Sequence, residues 1–196
     1  VGSEMCIRDR TYPVDADLVC GVPDSGLASA KGYSEESGIP FGLAFHKNSY
    51  VGRTFIKPKQ SSRESSVRVK LNVLREAVEG KRVIMIDDSI VRGTTSDRIV
   101  HMLREAGAKE VHMRVSSPPF LWPCYFGTDV PAREQLIAYN RTVEEIRQVI
   151  GADSLGYLDC SRLRQMAGDL PICTGCFTGN YPLDPPMEDI RGEFEQ

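Results

Sequence analysis

The stretch Arg82-Val-Ile-Met-Ile-Asp-Asp-Ser-Ile-Val-Arg-Gly-Thr-Thr-Ser96 constrains the fold more than any other part of the chain. Val83 to Ile86 form an unbroken apolar run, the pattern of a strand buried on both faces, and the run stops at two adjacent carboxylates, Asp87 and Asp88. Hydroxyl residues and one glycine follow. Behind them Ile99, Met102, Leu103 and Ala106 recur at helical spacing, with Thr95 or Ser96 placed to cap the helix and Gly107 to end it. Strand, acidic and hydroxyl-rich loop, then helix is the order of a unit in a parallel sheet. Such a unit sets backbone N–H groups and a helix N-terminus beside the carboxyl end of a strand, where open α/β sheets bind ligands.

Other segments repeat the plan. Leu18, Val19, Cys20 and Val22 predict a short buried strand ending at Pro23-Asp24-Ser25-Gly26, and a helix through Ala28, Ala30 and Tyr33 runs to Gly38. Phe41 to Phe45 predicts a strand, Val67, Leu71, Leu74 and Val78 one helical stripe, and Val111, Met113 and Val115 another strand. Further helices are expected at Ala132 to Ala138, at Val143 to Ile150 behind a Thr142-x-x-Glu145 capping box, and at Ser161 to Ala167. The alternation predicts an α/β protein with a mainly parallel sheet flanked by helices. Residues 11–140 should form that core and 141–196 an irregular, helical extension carrying Cys173-Thr-Gly-Cys176; residues 1–10 fit neither period and read as a non-native leader. A net charge of -3 and a pI near 5.7 argue against general nucleic-acid binding, no window suits a membrane span, and a cytoplasmic location is the expectation.

Adjacent strand residues point to opposite sides, so Asp87 and Asp88 cannot form a close dyad but can touch different parts of one ligand. Carboxylates suit sugar hydroxyls or a hydrated divalent cation, and the turn Gly93-Thr-Thr-Ser96 offers N–H and hydroxyl donors to a phosphate, so together they describe a site for a phosphorylated sugar. From Lys47 about twenty residues are rich in cations, hydroxyls, Gly and Pro. Arg53, Lys57, Lys59 and Arg63 there serve either a solvated loop or a lid closing over a polyanion. Cys20 reads as a small core residue. His101 on a helix and His112, alternating outward on a strand, are expected in ordinary surface roles, and His46 adds no catalytic case.

The run from Val83 to Ser96 resembles the phosphoribosyl diphosphate (PRPP) signature of type I phosphoribosyltransferases. With Gly21-Val-Pro-Asp-Ser25, Lys47-Asn-Ser-Tyr-Val-Gly-Arg-Thr-Phe-Ile56 and Arg104-Glu-Ala-Gly-Ala108, the chain resembles the amidophosphoribosyltransferase family over nearly all of residues 15–182. The resemblance implies the type I phosphoribosyltransferase fold and displacement of pyrophosphate from C1 of PRPP by ammonia, giving 5-phosphoribosylamine, the first step of purine nucleotide synthesis. By the match, Asp87 and Asp88 hold the ribose hydroxyls and Mg2+-bound substrate and, with Arg53, are the catalytic residues. Ser89, Arg92, Gly93, Thr94, Thr95 and Ser96 cradle the 5-phosphate, Asp24 and Ser25 face the pyrophosphate, and Tyr50, Arg53, Lys57, Gln60 and Arg63 belong to a flexible lid. Gly26 stands where many relatives carry a serine that can touch the metal, which leaves that contact to substrate oxygens or water.

Cys124, Cys173 and Cys176 match three of four ligands of the [4Fe–4S] cluster in one branch of the family; inert thiols and a three-thiolate zinc site are the alternatives. The fourth ligand is expected upstream of Thr11, since neither Cys6 nor Cys160 matches it. A glutaminase domain releasing ammonia from glutamine, and the start of the transferase domain, are likewise expected upstream. Feedback nucleotides of the AMP and GMP type and a homo-oligomer are the other implied partners. A second reading is a non-catalytic PRPP-sensing regulatory domain on the same fold.

Overall fold

The computed structural model describes residues 12–48, 71–127, 132–168 and 170–184. Their elements are β1 (Leu18–Gly21), α1 (Gly26–Ser37), β2 (Phe45–Lys47), β3 (Leu71–Val73), α2 (Arg75–Val78), β4 (Arg82–Asp87), α3 (Thr94–Glu105), β5 (Glu110–Val115), a 3-10 turn (Arg133–Gln135), α4 (Val143–Val149), β6 (Ser154–Tyr157), α5 (Cys160–Ala167) and α6 (Gly175–Thr178). β1, β4, β5 and β6 form a parallel sheet in the order β1-β4-β5-β6. The apolar run of β4 explains its central place. Val83 and Met85 join Cys20, Val111, Met113 and Leu155 on one face beneath Ile99, Val100 and Leu103 of α3, while Ile84 and Ile86 join Val19 on the other beneath Ala30 and Tyr33 of α1. Ile84 and Met85 are both fully buried, and each contributes about 1.5–3 kcal/mol.

The expected parallel sheet with helices on both faces is what the chain forms, and its topology locates a crevice. After α1 the chain returns to the outer side of β1, where Phe41 bridges Val19 in parallel, Val19 N–H donates to Pro40 O at 2.8 Å and Gly42 N–H to Val19 O at 2.9 Å. β4 then takes the inner side of β1. The direction of winding thus reverses between β1 and β4, and the carboxyl ends of those two strands flank the switch point where such sheets bind ligands.

Several local expectations are corrected. The strand foreseen at Phe41 to Phe45 is displaced: Phe41 makes one bridge and β2 begins at Phe45. The helical stripe foreseen through Val67, Leu71, Leu74 and Val78 is corrected from Leu71 on, Val67 lying outside the described residues: Leu71 and Val73 alternate in β3, paired antiparallel with β2, and Arg75–Val78 is helical. Cross-strand pairing with Phe45–Lys47 overrides the apparent helical stripe. The helix foreseen at Ala132 to Ala138 shrinks to the 3-10 turn, after which Leu136, Ile137 and Ala138 are buried without helix. α3 begins at Thr94 behind Gly93, whose φ of 81° makes the cap; neither Thr95 nor Ser96 caps it, both lying inside its first turn. β6 arises where no strand was expected.

The capping box of α4 is formed, with Glu145 N–H donating to Thr142 Oγ1 at 3.2 Å and Thr142 N–H to Glu145 Oε2 at 2.7 Å. Among the described residues no helix is long and apolar enough to cross a membrane.

Candidate functional site at the ends of β1 and β4

β1 and β4 finish together. Val22 N–H donates to Ile86 O at 2.8 Å, and α1 starts so close to the end of β4 that a Cβ on Gly26 would lie 2.4 Å from Ile86 O. A Cβ there would force the backbone apart, so Gly26 suits this close approach of α1 to β4. The turn between β1 and α1 leaves Asp24 and Ser25 exposed, and Lys47 Nζ, at the end of β2, contacts the Asp24 carboxylate.

Asp87 is the last residue of β4 and only 7% exposed, and its Oδ1 accepts from Asp88 N–H at 2.9 Å. Burial and then the neighbouring Asp88 charge push its carboxyl up to about 7, against the opposing pull of that backbone hydrogen bond. Asp88 is exposed and accepts from Ser89 Oγ at 3.1 Å. Ile90, fully buried, anchors the loop, and Gly93 turns it into α3. Because no side chain caps α3, its first-turn N–H groups remain available to an anion. Thr94 is exposed, Thr95 half-buried and Ser96 buried, while Arg92 donates from Nη2 to Gln135 Oε1 at 2.8 Å. Asp24, Ser25, Asp87, Asp88, Ser89 and residues 92–96 therefore share one end of two neighbouring strands. Two gathered acids beside unused N–H donors fit a divalent cation with a phosphate. The lid residues Tyr50, Arg53, Lys57, Gln60 and Arg63 lie outside the described residues.

The cysteines separate into two groups. Cys20 is fully buried on β1, and burial pushes its thiol up to about 12, as suits a core residue. Cys124 lies on a segment that docks against the Cys173–Cys176 turn: Leu121 and Trp122 N–H each donate to Cys176 O at 3.0 Å, and Tyr181 OH donates to Pro123 O at 2.6 Å. Edge-to-face pairs seal the contact, Phe120 with Phe177 at 5.0 Å and Tyr125 with Tyr181 at 5.1 Å. Burial first, then Cys124, with Cys173 and Cys160, pushes the Cys176 thiol up to about 11. Cys124, Cys173 and Cys160 thus all lie near enough to act on Cys176, Cys160 without any motif that pointed to it. Among the described residues, however, no three His, Cys, Asp or Glu side chains are grouped so as to hold a metal ion.

Two features were not foreseen. His112 is not a surface residue: it is 5% exposed, with Nδ1 2.9 Å from Ser154 Oγ, its register partner on the neighbouring strand β6, and Nε2 3.0 Å from Glu110 Oε2. His101 does sit at the surface, 3.3 Å from Glu105. The segment Arg133–Ile137 touches the 91–93 turn, Ile137 N–H donating to Val91 O at 2.8 Å, a contact between residues far apart in sequence that no local pattern signals.

Comparison with known proteins agrees with this geometry. A model of the phosphoribosyl transferase domain matches residues 4–117. A relative from Archaeoglobus fulgidus named amidophosphoribosyltransferase is 55% identical over 186 residues, covering 93% of this chain and 41% of its own length. One of the same name from Bacillus subtilis is 55% identical over 177 residues, 87% of this chain and 37% of its own. The solved B. subtilis glutamine PRPP amidotransferase, complexed with ADP and GMP, superposes with a TM-score of 0.81 at 52% identity, over 93% of this chain and 42% of that one. The chain thus spans about two fifths of the length of the relatives it matches.

Proposed function

Since this chain belongs to the phosphoribosyl transferase domain family, we propose that it supplies the PRPP-binding transferase part of an amidophosphoribosyltransferase, which joins ammonia to C1 of PRPP and expels pyrophosphate. The observation that carries this reading is the pairing of buried Asp87 and exposed Asp88 with the Gly93 turn at the uncapped start of α3. Displacement at a sugar C1 develops positive charge on the ring and negative charge on the leaving group, so it needs positioning and electrostatic stabilisation more than a protein nucleophile. Asp87 and Asp88 bind the ribose hydroxyls and hold Mg2+, which when bound neutralises charge on the pyrophosphate. Ser89 and residues 92–96 orient the 5-phosphate, and Asp24 and Ser25 line the pyrophosphate side. Arg53, with Tyr50, Lys57, Gln60 and Arg63, acts from a lid that excludes water.

The rest of the assignment belongs to the gene's full product. Ammonia is delivered there by a glutaminase domain, the enzyme is a cytoplasmic homo-oligomer, and purine nucleotides of the AMP and GMP type inhibit it, the last supported by the ADP and GMP with which the B. subtilis relative is complexed. Cys124, Cys173 and Cys176 are three ligands of a [4Fe–4S] cluster, a reading supported by the docking of the segment around Cys124 on the Cys173–Cys176 turn; no step of the transfer passes through it. Iron, acid-labile sulfide and broad visible absorption in protein purified without oxygen check this.

The decisive experiment supplies ammonium, PRPP and Mg2+ to the gene's full product and measures pyrophosphate. Release that depends on ammonium is expected. PRPP binding with no such release would leave the PRPP-sensing reading in its place.

A further inference from the structure

The turn assigned to the 5-phosphate does not stand alone. Ile137 N–H donates to Val91 O at 2.8 Å, Arg92 Nη2 donates to Gln135 Oε1 at 2.8 Å, and a Cβ on Gly93 would lie 2.2 Å from Ile137 Cδ1. The two residues before Gly93, and Gly93 itself, rest on the segment from Arg133 to Ile137.

That segment is gripped from its other end by Arg133. Its Nε donates to Leu121 O at 2.8 Å, and its guanidinium carbon lies 3.3 Å from the centre of the Trp122 ring and 5.0 Å from that of Tyr139. A cation stacked between two rings and bonded to a carbonyl is held far more firmly than a solvated arginine. Leu121 and Trp122 in turn donate their N–H groups to Cys176 O, and Trp122 packs on Gly179, where a Cβ would come within 2.9 Å of the indole. An unbroken line of contacts therefore runs from the Cys173–Cys176 turn to Arg92.

We propose that Arg133 and Gln135 are positioning residues for the PRPP loop, and that through them this loop and the cysteine-bearing segment form one coupled unit. The proposal rests on the assignment of residues 92–96 to the 5-phosphate. Gln135 fixes the side chain of Arg92, Ile137 fixes the backbone before it, and Arg133 fixes both to the cysteine segment. Coupling between two sites is reciprocal. A ligand that orders the 91–96 turn also tightens the Leu121–Cys176 contact, and whatever orders the thiols favours the phosphate-binding form of the turn.

Hydrogen exchange read by mass spectrometry on the gene's full product, with PRPP affinity measured in parallel by calorimetry, tests this. PRPP with Mg2+ is expected to slow exchange in peptides spanning 120–124 and 174–178 by about 5-fold or more. Arg133→Met and Gln135→Leu should lose that protection and raise KM for PRPP by a similar factor with a smaller change in kcat, and Arg133→Lys, which keeps a cation over Trp122, should restore part of it. Gln135 is exposed, so its variant remains informative if Arg133→Met fails to fold. PRPP binding that leaves exchange in 120–124 unchanged overturns the coupling while sparing the assignment of the site. Absence of any PRPP binding overturns both.

Discussion

Asp87 at the end of β4 and Arg114, one residue before the end of β5, are both close to inaccessible, 7% and 2% exposed, on neighbouring strands of one sheet. Their surroundings are opposite. Arg114 donates from Nη1 to Met113 O and Ser154 Oγ, each at 2.9 Å, and from Nη2 to Tyr12 O at 3.1 Å, with the Tyr12 ring 6.0 Å from its guanidinium carbon. Asp87 accepts one hydrogen bond among the described residues, from Asp88 N–H, and the charge beside it is another carboxylate. A buried ion wrapped in acceptors belongs to the architecture. One that faces a like charge at the mouth of a crevice is held ready for something the protein must bind.

Substitution should separate the two by sign. Asp87→Asn is expected to weaken PRPP binding in the presence of Mg2+ by about 100-fold, seen by calorimetry. The same change should stabilise the ligand-free protein. The folded carboxyl titrates near 7 against an ordinary 3.8, so the folded state holds the extra proton between those values and loses stability as pH rises through them. Above pH 7 asparagine removes that cost, and Tm should rise by about 5 °C at pH 8. Arg114→Met should do the reverse, lowering unfolding free energy in urea by about 3 kcal/mol while leaving PRPP affinity of the folded protein within about twofold. If Asp87→Asn destabilises at pH 8, or Arg114→Met is silent, the two burials are not different in kind.

What could be read in the sequence follows the same division. The apolar run Val83 to Ile86, the Gly93 turn and the amphipathic α3 are local patterns, and they placed Asp87, Asp88 and the 92–96 turn at the end of a buried strand. The Thr142–Glu145 cap was legible for the same reason. Features built by distant partners were not. β6 is four residues long, alternates only Leu155 and Tyr157, and carries Gly156 against Tyr12, so it has too little pattern to announce a strand until β5 offers an edge. Leu71 falls on an apparent helical stripe with Leu74 and Val78, and its strand pairing is hidden because the partner in β2 lies more than twenty residues back. Gln135 and Arg133 carry no motif; only the fold brings them to Arg92 and Trp122.

His112 is the smallest and sharpest test of the comparison, because it is a titratable group inside the satisfied network. It lies between Ser154 and Glu110 with Arg114 two residues on, and Asp153 also acts on it. Burial chiefly lowers its pKa from 6.5, and Arg114 lowers it further, while the hydrogen bond that Nε2 donates to Glu110 and the charges of Glu110 and Asp153 oppose them. A histidine that resists protonation when folded takes up its proton more readily unfolded, so its contribution is full above about 6.5 and is lost as pH falls below it. Unfolding free energy should therefore decline between pH 7 and pH 5, and His112→Gln should flatten that slope. Glu110→Gln removes the group that favours the imidazolium and should steepen it. The Asp87 carboxyl acts in the opposite direction over part of the same range, gaining stability as pH falls, so the slope is best measured in the Asp87→Asn background. A slope there that His112→Gln leaves untouched would mean that the β5–β6 face is not the closed, self-sufficient network its hydrogen bonds describe.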